Sequence, residues 1–390
     1  MAHQDWIQLV QKQLKTEDIT SILNKENLED IHIHPYYSDN QKPVLPLPKI
    51  EESTQLVSRF STEFDENIYA YFIDDAPLPT VKEKSIYVKN LNTLKNASFT
   101  DGNRYFSLID VFQNEQGTEN KETTINHEQF HTLQHLPLER KVCIDIALYQ
   151  NAGASIIQQL AIALLKTQEL ISQFGKEILP TLIYKVGIGG QYFLEIAKIR
   201  ALKILINTYS KELGLNEVPY IFAETSLRNK SIVDSENNLI RSTIELAAGM
   251  IAGADAVFTN NFNLQENTLL TQEISFKQQV VLAYESIINV FEDAAAGSYF
   301  VEEATQQFAE KAWDLFVQIE DEGGFLAQMK TGKLIQMVYT QALTEQKHIA
   351  EGKIKLIGVN IYPKLEATQT AESLYNDTMI QPIRWAEMFE

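Results

Sequence analysis

Short apolar runs rich in β-branched and aromatic residues recur along this chain, and longer stretches with helical spacing separate most of them. The runs are IYAYFID (68–74), SIYVKN (85–90), RYFSLID (104–110), KVCIDIALY (141–149), TLIYKVGIG (181–189), YIFAET (220–225) and DAVFTN (255–260). Residues 154–174 and 237–254 carry the apolar period of helices. Such alternation predicts βα units around a parallel sheet. With IHIHPYY (31–37) as the candidate eighth strand, the count favours an α/β (β/α)8 TIM barrel over an open doubly wound sheet. Trp6, Leu9, Val10 and Leu14 fall near 3.6-residue spacing, which predicts an amphipathic N-terminal helix. A proline-bearing extended segment follows it, through residue 53. Beyond residue 275 the pattern is helical almost to 354–363. The expected organisation is an N-terminal helix and extended segment over 1–55, a barrel with C-terminal helices over 56–363, and a tail over 364–390.

Charge narrows the function classes. The chain carries 52 acidic against 33 basic residues, a net charge of −19. A surface this acidic argues against nucleic acid or an anionic membrane as partner. Cys143 is the only cysteine, so no internal disulfide and no thiolate metal cluster can form; on a strand it reads as a small buried apolar residue. The mixed polar start MAHQDWIQLVQKQLK has no apolar secretion core, and no run approaches the ~18 apolar residues of a membrane span. A cytoplasmic protein is expected.

Two stretches invite chemistry. His127, Glu128 and His131 spell the H-E-x-x-H of zinc peptidases, and His135 follows one turn later. The extended zinc pattern, however, needs glycine and histidine where Gln134 and Pro137 stand. The stretch also precedes a strand, which predicts a connecting helix on the outside of the barrel, away from the catalytic face. Gly187, Gly189 and Gly190 lie where a strand gives way to a helix. Such a turn either aims N–H groups at a phosphate or allows tight βα packing.

The glycine turn continues as Tyr192-Phe193 and Glu195-Ile196-Ala197-Lys198-Ile199-Arg200-Ala201. With AETS (223–226), NNLIRSTIELAAGMIAGAD (237–255), the stretch 284–324 and QKHIAEGKIKLIGVNIYP (346–363), it resembles the methylmalonyl-CoA mutase family in order and spacing. The first 140 residues resemble it only faintly. The resemblance implies a (β/α)8 barrel that threads coenzyme A along its axis, and a separate domain that binds adenosylcobalamin. The active pattern departs at several places. Its Tyr-His pair is matched by Ala147 and Leu148, and its Arg by Phe276. Leucine has no group with which to polarise a thioester carbonyl. Two further barrel-lining segments are lacking, SRFSTEF (58–64) being at most a remnant of one. The cobalamin motif is approximated only by Asp30 to Pro35, through His32 and His34, at the wrong end of the chain.

The resemblance therefore implies a small (beta) subunit. No residue of this chain is assigned to catalysis, cofactor binding or metal binding. Adenosylcobalamin is expected in a partner, a large catalytic subunit with which the chain forms a heterodimer. Leu148 and Phe276 are expected to fill the axis, so that the barrel binds coenzyme A weakly or not at all. The N-terminal helix is expected either to wrap the partner or to pack on its own barrel. The alternatives are an active acyl-CoA mutase barrel using a cobalamin domain on a separate chain, a zinc hydrolase using His127, Glu128 and His131, and a scaffold with an unrelated binding role.

Overall fold

The apolar runs form eight parallel strands: β1 (Gln55–Arg59), β2 (Ala70–Ile73), β3 (Ser85–Val88), β4 (Arg104–Ser107), β5 (Val142–Asp145), β6 (Leu182–Ile188), β7 (Tyr220–Thr225) and β8 (Ala256–Phe258). The computed structural model describes residues 3–23, 27–37, 46–61, 67–116, 122–363 and 374–390. Part of the proline-bearing segment (38–45), residues 62–64 of SRFSTEF and the start of the tail (364–373) lie outside the described residues. The strands pair in the order β4-β3-β2-β1-β8-β7-β6-β5. The two ends meet where the Ser107 N–H donates to the Arg140 carbonyl and the Cys143 N–H to the Ile109 carbonyl, both at 2.9 Å. The sheet is thus closed into a barrel.

The eighth strand is not the expected one. Residues 31–37 join no strand and bend at Pro35, which lacks a ladder donor. Instead the Gln307 side chain accepts from the His32 N–H at 2.7 Å and donates to its carbonyl at 3.0 Å. Gln55–Arg59 takes the place, pairing with both β2 and β8. The run 141–149 also breaks early. Asp145 Oδ1 accepts the Leu148 N–H at 3.2 Å, and such a cap turns residues 147–151 into a short helix.

The later crossovers carry long helices: α2 (His127–His135), α3 (Ile156–Phe174), α4 (Tyr192–Glu212), α5 (Ser235–Ile251) and α6 (Leu269–Tyr284). After β1, β2 and β3 the described residues hold one short helix, Leu91–Lys95. A groove of about 940 Å³ is left on that wall, between β1, β2 and α6. An outer helix, α7 (Tyr299–Asp321), covers α3 and α4; a short helix at Gly324–Lys330 packs on α3 and carries α8 (Lys333–Ala350). This second cover explains why α3 buries Leu160, Ile162, Leu164 and Leu165 around its circumference. Each such side chain contributes about 1.5–3 kcal/mol. The Ser155–Gln158 capping box starts that helix. The N-terminal helix, α1 (His3–Leu14), buries none of its described side chains, and Leu9 and Leu14 are exposed. No helix among the described residues is long and apolar enough to cross a membrane.

Helix α4, packed on both sides, carries buried cations. Arg200 is matched by Asp293 and by Glu302, at 3.0 and 2.8 Å. Glu302 is therefore an ion-pair partner as well as a first-turn acid. Lys203 is buried, and its Nζ has no hydrogen-bond partner among the described residues. Burial outweighs the pull of Asp255 and Asp293 and lowers its pKa from 10.5 to about 8. The folded state thus releases this proton before the unfolded chain does, so stability rises with pH between about 8 and 10.5. Lys203→Met is expected to stabilise the protein by about 1–4 kcal/mol at pH 7 and to flatten that rise. Urea titrations of both proteins at pH 7 and pH 10 check this, and an equal or lower midpoint for the variant at pH 7 refutes it.

Candidate functional site

Ligands of such barrels gather where the strands' C-terminal ends meet. There, Lys185 on β6 stands between Asp145 on β5 and Glu224 on β7, at 2.8 and 3.2 Å. Burial alone would raise the Asp145 carboxyl, but Lys185 overrides it and holds the group below its ordinary value. Glu224 is pushed up by burial, which Lys185 only partly offsets. Burial opposes the Lys185 charge, yet the two carboxylates outweigh it and raise its pKa. An ammonium held this firmly supplies neither a free base nor an amine nucleophile. Across the mouth Arg59 pairs with Asp74 at 3.5 Å and lies over the rings of Phe72 and Phe258. These charges are spent on one another.

Below the mouth the axis is solid. Alternate strand residues point inward, and six of them are aromatic: Phe72, Tyr87, Phe106, Tyr220, Phe222 and Phe258, each at most 5% exposed. Tyr87 stacks on Phe106 with centroids 4.6 Å apart, and Phe72 meets Phe258 at 4.7 Å. The Tyr87 hydroxyl donates to Gln55 Oε1 at 2.8 Å and lies 2.7 Å from the Tyr220 hydroxyl, so Tyr220 is the donor to Tyr87. Beneath them Arg104 is bound in a fork by Glu51 and again by Glu139. Cys143 faces this interior, and burial raises its thiol well above the usual range.

The residues expected to fill the axis lie elsewhere. Ala147 is buried in the short helix after β5, and Leu148 there is half-buried against the layer outside the barrel. Phe276 lies on α6 and lines the outer groove, with Ser58, Tyr69 and Tyr71. The cause is geometric. The helical turn at 147 takes these side chains off the strand's inward–outward alternation, and α6 packs outside β1.

The glycine turn proves to be a packing device. A Cβ on Gly187 would lie 2.7 Å from Gln150 Oε1, and one on Gly189 would lie 2.7 Å from Glu195 Oε1. Lys198 donates to the Gly187 carbonyl at 2.6 Å and to Gln150 Oε1 at 3.0 Å. A carboxylate and an amide thus occupy the space in front of the turn where a phosphate would have to sit. In α2, His127 and His131 meet the edge of Phe174, while Glu128 lies 4.0 Å from Lys95. His135 Nδ1 contacts the His131 carbonyl at 2.6 Å. Among the described residues, no three His, Cys, Asp or Glu side chains are grouped to hold a metal ion. His32 and His34 are exposed, their rings edge to face at 4.2 Å.

The pattern of apolar runs did not single out Lys185. Its signal was present: a lone lysine inside the apolar run LIYKVGI.

Comparison with known proteins agrees with this architecture. A family profile described as Methylmalonyl-CoA mutase matches residues 119–388. The chain is similar to the Methylmalonyl-CoA mutase small subunit of Porphyromonas gingivalis, with 31% identity over 59% of this chain and 39% of that one. The Methylmalonyl-CoA mutase small subunit of Propionibacterium freudenreichii subsp. shermanii is 28% identical, over 65% and 41%. The Methylmalonyl-CoA mutase of Escherichia coli is 30% identical, over 59% and 34%. The matched part therefore spans about two fifths or less of the length of these relatives.

Proposed function

The chain belongs to the methylmalonyl-CoA mutase family, and from that premise we propose that it is a non-catalytic small subunit supporting a large catalytic one. The observation that carries this reading is the aromatic axis. An acyl-CoA threaded through the barrel would need the volume that Phe72, Tyr87, Phe106, Tyr220, Phe222 and Phe258 occupy. Displacing them would break a packed core worth several kcal/mol, more than a modest binding energy returns. The charges at the mouth are already paired, and Leu148 offers no donor where active members carry histidine. Adenosylcobalamin and the isomerisation then belong to the partner.

The exposed α1 supports the subunit reading. Trp6 stacks on Tyr36 at 5.0 Å, but Leu9 and Leu14 of this twelve-residue helix are exposed, and a partner surface would bury them. Names borne by two of the relatives, small subunit, agree with such a partner.

Two measurements test the proposal. Calorimetry with methylmalonyl-CoA and the isolated chain is expected to give no binding tighter than about 1 mM; micromolar binding refutes it. Co-expression with a large mutase subunit is expected to yield a stable complex that Trp6→Ala weakens. Turnover by this chain with a separately supplied cobalamin domain refutes the non-catalytic assignment in favour of an active split barrel.

A further inference from the structure

Two segments that flank the barrel in sequence, 27–37 and 374–390, come to its C-terminal face. On the N-terminal side, segment 27–37 is pinned to the outer helices. Lys311 Nζ reaches Asp30 Oδ2 at 2.7 Å, and Gln341 on α8 donates to the Leu28 carbonyl at 2.9 Å. Between these anchors Glu29 turns inward and is buried. Its Oε2 accepts the Ile156 N–H at 2.5 Å, at the first residue of α3. Burial pushes this carboxyl up to about 8, with Glu345 and Glu195 adding to the rise and the Ile156 N–H and Lys198 opposing it.

The C-terminal segment arrives from the other side. The Ile383 N–H donates to the Asn151 carbonyl at 2.9 Å, and the Trp385 N–H to the Arg228 carbonyl at 2.8 Å. Arg228 Nη1 returns bonds to the carbonyls of Asn151 and Ile383, each at 3.1 Å. Glu390 Oε1 accepts from Ser231 Oγ at 2.8 Å and from the Ile232 N–H at 2.6 Å.

One half-buried carboxylate joins the two. Glu345 on α8 accepts from Arg228 Nε at 2.8 Å and from the Trp385 indole N–H at 3.2 Å. Its charge also acts on Glu29. Four residues upstream on the same helix, Gln341 holds Leu28. The helix is also seated against the loop before α3. Gly153, at φ +100°, lies where a Cβ would come within 2.6 Å of Ala342 Cβ, so α8 cannot shift without disturbing that loop.

We infer that segments 27–37 and 374–390 form one coupled clasp over the C-terminal face of the barrel, with α8 and its Glu345 as the shared bolt. Releasing either end loosens the other, because α8 holds both, segment 27–37 through Gln341 and the C-terminal segment through Glu345. The N-terminal end of the clasp continues into α1. If the subunit reading holds, a partner that draws on α1 also acts on the C-terminal segment; the clasp itself does not depend on that reading.

Hydrogen exchange followed by mass spectrometry on the full chain tests this. Glu29→Ala is expected to speed exchange about tenfold in 383–390 as well as in 27–37. Trp385→Ala is expected to speed exchange in 27–37 by a similar factor, because coupling is reciprocal. Glu29→Gln keeps an acceptor for Ile156 without charge and is expected to change neither segment. The strands β5–β8 serve as an internal control and are expected to keep their wild-type protection. Acceleration confined to the mutated end overturns the clasp, and so does uniform acceleration that includes the strands.

Discussion

Asp293→Ala is expected to cost about 3–5 kcal/mol of stability, the usual penalty for stripping the partner from a buried charge. Asp293 accepts from Arg200 Nε and Nη2 at 3.0 and 3.1 Å, and from the Leu47 N–H at 2.9 Å. Arg200 is 1% exposed in the middle of α4, so no water can replace the lost carboxylate. Glu302 at 2.8 Å and Thr305 at 3.4 Å would remain, which is why the cost stays finite. The same substitution frees the segment that leads into β1. Chemical denaturation checks the magnitude. Pairing the change with Arg200→Met, which removes both charges, is expected to recover most of the loss. A single-variant cost below about 1 kcal/mol would mean that Arg200 finds solvent, contrary to its burial.

Phe222→Ala is expected to cost a further and independent ~3–5 kcal/mol, because it opens a cavity in the barrel axis between Tyr87 and Phe258. An apolar cavity of this kind stays dry and accepts small aromatic molecules. Benzene or toluene should therefore raise the melting temperature of the variant and leave the wild type unmoved. If the variant loses less than about 1 kcal/mol and gains nothing from the ligand, the axis is loosely packed and the argument against a threaded acyl-CoA fails.

Much of the fold could be read from the chain because parallel strands buried on both faces are nearly continuous apolar runs. YIFAET coincides with β7, and the other six runs each contain a strand. The eighth strand is missed because QLVSR has only Leu56 and Val57 as apolar residues, while IHIHPYY looks more strand-like yet carries Pro35. The filled axis was anticipated, but on the wrong residues. Single-strand patterns do not reveal which parity faces inward when both faces are apolar, so Phe72, Tyr87 and Phe222 could not be assigned to the lumen in advance. Leu148 and Phe276 are expected there only from the resemblance, as matches of the family's His and Arg, and a capping bond at Asp145 and the outward seat of α6 displace them. Lys185 could have been found. A cation in a run otherwise buried on both sides needs a carboxylate nearby, and Asp145 stands directly across from it in register.

The three tryptophans fall outside the barrel: Trp6 on α1, Trp313 on α7 and Trp385 in the C-terminal segment. The interior, by contrast, holds Tyr87 and Tyr220 as a hydroxyl pair. Indole emission therefore reports on the N-terminal helix, the outer layer and the C-terminal segment, and not on the barrel axis. A titration that shifts this emission follows events at the periphery of the barrel, and single Trp→Phe changes would say which of the three sites responds.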